Sequence, residues 1–264
     1  MEAISGPVTG RTVHITVAGA TEPMAAYVAR PAGGGPWPAV IVGFEMFGVT
    51  PYIRRTADRL AGLGLLAVVP DFHHRTAPGF CGTADERGRA QGHALLDRLT
   101  REGVKADLLA VIAHLEERGD SAGRPAMAGF SLGGHLAFYA ASQVPLSAAA
   151  VVYPGWLDVT GTALSTPDPL LDLTQGIADQ GCRVLYLVGA DDHVVTQDQT
   201  RLTRQRLTAA GVPHEVVVYP GTPHGFLADE RDTYRPREAS DAWHRIEALL
   251  TAPGAHRPGP LARP

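Results

Sequence analysis

The chain has 264 residues, 45% of them apolar, and a net charge of −4 from 23 basic and 27 acidic side chains. That length suits one large α/β unit with an ample core, and the mild acidity lacks the clustered basic face of a nucleic-acid binder. Two cysteines far apart, Cys81 and Cys182, argue against a disulfide framework and for a reducing, cytoplasmic setting, and no run approaches the roughly 18 apolar residues of a membrane span.

The first residues, MEAISGPVTGRTVH, lack a basic start followed by an apolar core, so no signal peptide is expected. Thr12 to Ala18 alternates like a strand, and Ala25 to Ala29 follows after a turn. Beyond the turn cluster PAGGGPW, the run Ala39–Val42 is short, continuous and β-branched, as a fully buried strand is. Pro51 to Leu63 has helical spacing, with Ile53, Ala57, Leu60 and Ala61 on one face and Gly64 placed to end it in a left-handed cap. Leu65 to Val69 reads as another buried strand.

A loop rich in Gly, Pro and Thr spans Arg75 to Ala84. Helical patterns continue to Gly119, with Val104, Leu108, Val111, Ile112 and Leu115 as one stripe. A strand ends at Phe130, a helix runs from about Leu132 to Gln143, and Ala148 to Tyr153 is a strand. After a looser segment come the strand Arg183–Val188, the helix Gln197–Ala210, the strand Glu215–Tyr219 and the helix Arg237–Leu250. Residues 1–252 are expected to form one domain, and the tail 253–264 (PGAHRPGPLARP) to remain without a core of its own. Buried strands alternating with amphipathic helices predict a mostly parallel, twisted sheet with helices on both faces. The first two strands have no crossover helix between them and are expected at an antiparallel edge.

The stretch GFSLGG, Gly129 to Gly134, falls where a strand meets a helix. Gly-x-Ser-x-Gly in that context is a nucleophile elbow, in which a sharp turn aims the hydroxyl of Ser131 away from the sheet. Gly129 and Gly133 leave room for neighbouring backbone, Gly134 lets the helix pack close, and Leu132 N–H at the helix start is a natural donor to an oxyanion. A serine needs a base, and the base an orienting acid, in the chain order Ser, acid, His. LYLVGADDHVV ends one later strand in Asp191-Asp192, and VVVYPGTPHGF ends the next in His224, at the same edge of the sheet. Asp192 is preferred to Asp191, either of which could instead cap the following helix. His193, His214 and the other histidines are expected on the surface or in packing. The neighbours His73 and His74 have no ligand spacing around them, so no metal and no cofactor is expected.

The motifs GFEMFGV, VVPDF, APG with DER, GFSLGG, GADDHV and YPGTPHGF resemble those of the dienelactone hydrolase family, a branch of the α/β-hydrolases without a large lid domain, from about Val13 to Leu250. The resemblance implies Ser131, Asp192 and His224 as a triad. It also implies Glu45 beside the nucleophile and Met46 N–H joining Leu132 N–H in the oxyanion hole. Founding members carry a cysteine where this chain has Ser131, so Glu45 is expected to accept a hydrogen bond from the serine or from substrate, or to orient water. Family members that open dienelactones hold the substrate carboxylate with two arginines. The first falls at Arg89, which is as well explained by a solvated helix surface; the second would fall at Ala228. Arg231 and Arg235 are nearby but have no assigned place. The family's namesake dienelactone is therefore not expected to be the best substrate.

Phe44, Met46, Phe47, Tyr52, Phe80, Tyr153, Trp156 and Phe226 lie near strand ends and are expected around a small, apolar pocket; Cys81 could line it or be structural. The chemistry implied is hydrolysis of a small ester or lactone by a monomer or homodimer. A thioesterase, an acyltransferase or a lactone-forming cyclase would use the same residues, and a binding protein on a hydrolase scaffold is the rival outside enzymes.

Overall fold

The computed structural model describes residues 7–252; the expected tail 253–264 lies outside them. Val8–Ile15 (β1) pairs antiparallel with Met24–Pro31 (β2). Trp37–Gly43 (β3), Leu66–Pro70 (β4), Ser121–Phe130 (β5), Ala148–Val152 (β6), Arg183–Gly189 (β7) and His214–Tyr219 (β8) then run parallel to one another. The eight strands form one sheet in the order β1-β2-β4-β3-β5-β6-β7-β8, with β2 antiparallel to β4. The central strands carry Val, Ile, Leu and Ala at nearly every position and are buried on both faces, as parallel strands between helix layers are.

Pro51–Gly62 (α1) follows β3, with Thr50 accepting from Ile53 N–H at its start. Gly64, at φ 90°, ends it: Gly64 N–H donates to Ala61 and Leu65 N–H to Leu60, the Schellman pairing. Glu86–Leu96 (α2) and Arg101–Glu117 (α3) precede β5, and Leu132–Gln143 (α4) follows it. A 3₁₀ turn at Leu170–Leu173 and the helix Thr174–Gln180 (α5) occupy the segment that had been expected to be loose. At seven residues, behind Pro167 and Pro169, α5 is too short to show a period; its core side is Thr174 and Ile177. Gln197–Ala209 (α6) and Pro236–Thr251 (α7) complete the chain. Arg59 of α1 bonds Glu247 of α7 at 2.8 Å and lies over the Trp243 ring, joining these two helices on one face. Helices α3 and α5 flank α4 on the other.

The path sets where a site can form. From β3 the chain goes to β4 on one side, then crosses back to β5 on the other. Strand order therefore reverses at β3, and the crevice beyond the carboxyl ends of β3 and β5 is where such sheets bind ligands. Register then fixes the heights: Gly43 pairs with Gly129, Phe130 with Val152, Val152 with Leu187 and Gly189 with Tyr219. Glu45, Ser131, Tyr153, Asp192 and His224, each one to five residues past those pairs, all leave the sheet at one rim.

Candidate active site

Ser131 stands between β5 and α4 at φ 55° and ψ −114°. Among the described residues it is one of three non-glycine residues with positive φ, with Tyr153 (37°) and Trp156 (58°). Such backbone costs on the order of 1–3 kcal/mol each and persists where surroundings over-determine it. Here they do. Ser131 N–H donates to Val152 at 3.0 Å, and Tyr153 N–H donates to Leu187 at 2.7 Å. The glycines around the serine are required by close backbone: a Cβ on Gly129 would run into the Gly133 carbonyl, one on Gly133 into the Gly43 carbonyl, and one on Gly134 would come within 2.8 Å of the Val152 oxygen.

From this turn Ser131 Oγ meets His224 Nε2 at 2.9 Å. His224 Nδ1 meets Asp192 Oδ2 at 2.8 Å and Oδ1 at 3.1 Å. Asp192 Oδ1 also accepts the N–H groups of Val194 (2.8 Å) and Val195 (2.9 Å), which fixes the carboxylate's rotation. Its side chain is fully buried and that of His224 is 15% exposed. Asp191 is exposed.

A cavity of about 550 Å³ opens over Ser131 and His224, walled by Glu45, Met46, Phe47, Arg89, His93, Trp156, His193 and Arg231 among others. Leu132 opens α4, where the first N–H groups have no partner within the helix. Arg89 lines the cavity while its Nη1 donates to Ala84 O at 3.0 Å.

Several expectations are corrected. Tyr153 and Phe226 lie beneath the cavity, fully buried. The Tyr153 ring supports His224 at 5.0 Å and Phe226 packs behind it at 5.6 Å. Burial holds the Tyr153 phenol well above its ordinary pKa, so it stays neutral. Phe44 is buried too; Phe80 packs edge-on against His73 and Tyr52 faces a groove toward α7, both outside the cavity. Cys81 is exposed and lies against a neighbouring hollow of about 380 Å³. His193, expected on the surface or in packing, is exposed and also lines the cavity, with its ring 5.8 Å from that of His224.

Glu45 lines the cavity but is held by Arg231 rather than by the serine hydroxyl. Both its oxygens accept from Arg231: Oε1 from Nη1 at 2.9 Å, and Oε2 from Nη2. The guanidinium also lies 5.1 Å over the Phe47 ring. Burial alone would lower the Arg231 pKa, but the charge and hydrogen bonds of Glu45 leave it raised. The residues around Arg231 in the sequence do not indicate its partner. The usable signal was Glu45 itself, a carboxylate among Phe44, Met46 and Phe47 that needs a cationic partner.

A model of the dienelactone hydrolase family matches residues 24–252. The chain belongs to the dienelactone hydrolase family. It is 35% identical over 228 residues to a Salmonella typhimurium protein assigned as a carboxymethylenebutenolidase, covering 84% of this chain and 80% of that one. A Synechocystis protein so assigned is 31% identical over 248 residues, with 91% and 96% covered. A crystal structure from Klebsiella pneumoniae, assigned as a dienelactone hydrolase, superposes with a TM-score of 0.83 at 32% identity, covering 94% of this chain and all of that one. This family member has the α/β-hydrolase fold that its motifs imply, and among the described residues no helix is long and apolar enough to cross a membrane.

Proposed function

We propose that this chain is a serine hydrolase of small esters or lactones that works through an acyl-enzyme. The observation that carries the reading is the continuous hydrogen-bonded line from Ser131 Oγ through the His224 ring to Asp192, open to a cavity at its serine end. The names of the Salmonella and Synechocystis relatives, lactone-opening enzymes by assignment, favour the same chemistry.

In the first half-reaction His224 Nε2 takes the hydroxyl proton as Ser131 Oγ bonds to the substrate carbonyl carbon. Asp192, fixed by two backbone N–H groups, holds Nδ1–H and stabilises the imidazolium that forms. We assign Leu132 N–H and Met46 N–H to the developing oxyanion, each such donor being worth roughly 10²–10³ in rate. The C–O bond then breaks and His224 returns its proton to the leaving alkoxide; in a lactone that alcohol stays tethered to the acyl group. Water repeats the sequence and frees Ser131.

A cavity of about 550 Å³ fits a small substrate. Because Glu45 already neutralises Arg231, the reading favours neutral esters and lactones over carboxylate-bearing ones. The test is Ser131→Ala, expected to lower kcat on the order of 10⁶-fold, together with covalent labelling of Ser131 by a fluorophosphonate. Near-normal turnover by the variant, or no adduct on the wild type, overturns the reading.

A further inference from the structure

Trp156 is a cavity wall held in a conformation that tryptophan rarely adopts, at φ 58°. No strand or helix of the sheet carries it; it lies in the segment between β6 and the 3₁₀ turn. What restrains it is a buried polar cluster rooted in α4, one turn beyond Ser131. His135 Nδ1 lies 2.9 Å from Gly155 O, and Nε2 lies 3.2 Å from Thr162 Oγ1. Ser165 Oγ lies 3.3 Å from Trp156 O, 3.1 Å from Thr162 Oγ1 and 3.4 Å from His135 Nε2. His135, Thr162 and Ser165 are all buried. His135 N–H in turn donates to Ser131 O at 3.1 Å, tying the cluster to the elbow.

The proton pattern is self-consistent. Gly155 O can only accept, so His135 carries its proton on Nδ1. Nε2 is then an acceptor for the single Thr162 hydroxyl proton, so the short approach of the Thr162 and Ser165 oxygens carries no donation from Thr162, and the Ser165 hydroxyl donates to Trp156 O. That wiring needs a neutral ring, and burial lowers the His135 pKa to about 4. The imidazole thus stays a one-donor, one-acceptor group through the neutral range.

We propose that His135, through its bond to Gly155 O, its edge-on contact with the indole at 6.3 Å and the Thr162 and Ser165 hydroxyls, is a positioning residue that sets Trp156 as the wall on which a flat group of the substrate packs. Two carbonyls in a row, Gly155 O and Trp156 O, are pinned by this cluster, and Leu171 N–H pins the next at Leu157 O, 2.9 Å away. Three consecutive anchors fix the peptide planes on both sides of Trp156, and so the direction of its side chain. The indole meets the ring of His93 from α2 edge-on at 5.9 Å, closing that side of the cavity. Gly155 sits against Val194, where a Cβ would come within 2.8 Å of Cγ1, so the same segment also abuts the loop that carries Asp192. His135 touches no reacting atom; its effect runs through Trp156. The inference rests on the serine hydrolase reading of the cavity.

The test compares wild type with Ser165→Ala, Thr162→Val, His135→Asn and His135→Leu on two ester pairs: p-nitrophenyl benzoate against p-nitrophenyl acetate, and phenyl acetate against methyl acetate. In Ser165→Ala and His135→Leu the KM for the aromatic member of at least one pair rises about tenfold, while its kcat and both constants for the smaller member stay within twofold. His135→Asn, whose amide can still donate to Gly155 O, recovers part of that loss. In a Trp37→Phe, Trp243→Phe background, acrylamide quenching of Trp156 increases about twofold on Ser165→Ala. In a Trp156→Ala background, Ser165→Ala changes the KM ratio no further. Unchanged ratios and quenching, or an equal loss on every ester, overturn the proposal, since an equal loss is what general loosening produces. If His135→Leu does not fold, Ser165→Ala and Thr162→Val decide. Failure of the wild type to cleave any ester or to take up fluorophosphonate sinks the hydrolase reading instead, and the quenching result then judges the positioning of Trp156 by itself.

Discussion

Arg231 reaches across 186 positions of the chain to hold both carboxylate oxygens of Glu45 at the mouth of the cavity. Glu45 is 2% exposed and its partner's side chain 20%, so the pair is largely out of water, where removing one charge leaves the other uncompensated. A substrate carboxylate would have to compete with Glu45 for the same guanidinium.

Glu45→Gln keeps the shape and removes that competitor. The expected result is a KM for a hemisuccinate ester about tenfold lower relative to a neutral ester of equal length, with thermal stability reduced by roughly 1–3 kcal/mol through the lost charge-assisted bonds. Steady-state kinetics on the two esters check it. An unchanged ratio would mean that Arg231 does not face the bound substrate.

Asp192→Asn separates orientation from charge. The Asn oxygen is claimed by Val194 and Val195 N–H, as Oδ1 is now, so its NH₂ must face His224 Nδ1. Nδ1 then becomes an acceptor, the ring proton moves to Nε2, and the histidine can no longer take a proton from Ser131. The expected loss is on the order of 10⁴ in kcat with the fold intact. A loss under tenfold in stopped-assay turnover, with an unchanged circular dichroism spectrum, contradicts the role given to this carboxylate.

The elbow was legible in the sequence because its constraints are local. The run from Gly129 to Gly134 is explained by backbone contacts within a few residues and one adjacent strand, and α4 begins at Leu132 where the motif requires. The alternation of buried strands and helices was legible for the same reason. What could not be read is tertiary. Nothing near Arg231 points to a partner 186 positions away. Tyr153 and Phe226 stand near strand ends, yet proximity to an end does not tell whether a ring faces the cavity or lies under it; the positive φ of Tyr153 turns it beneath His224. β1 begins at Val8, four residues before its alternating stretch, because its pairing with β2 continues to Pro31 whatever the side chains are.

The glycines offer a contrast within one chain. Gly133→Ala places a methyl group against the Gly43 carbonyl, backbone that cannot swing aside, and is expected to cost at least about 3 kcal/mol or to prevent folding. Gly62, the last residue of α1, has open space where a Cβ would stand and is expected to gain from Ala, by at most about 1 kcal/mol of stability through helix propensity. Urea denaturation of both variants checks the pair, and similar effects in the two would mean that the close approach at the elbow is relieved by movement of α4.

Acid should weaken the fold through two buried imidazoles. His73 is enclosed with Phe44 at 5.0 Å and Phe80 at 5.9 Å, and neither ring nitrogen has a hydrogen-bond partner. Burial lowers its pKa to about 4, and burial likewise lowers that of His135 to about 4, against the unfolded value of 6.5. Between those values the unfolded chain binds protons that the folded chain refuses, so stability is full above pH 6.5 and declines as pH falls toward 4. For each histidine the loss between pH 7.5 and pH 5 is about 2 kcal/mol. The carboxyl of Asp71, raised by burial, acts in the opposite sense, because the folded state holds its proton more tightly. His73→Phe replaces a ring that makes no hydrogen bond with one that needs none. The variant should be at least as stable as wild type at pH 7.5 and should lose about 2 kcal/mol less on going to pH 5. Urea unfolding at the two pH values measures this directly. An unaltered pH dependence would show that His73 takes up a proton in the folded protein, and its aromatic enclosure would then have to admit water.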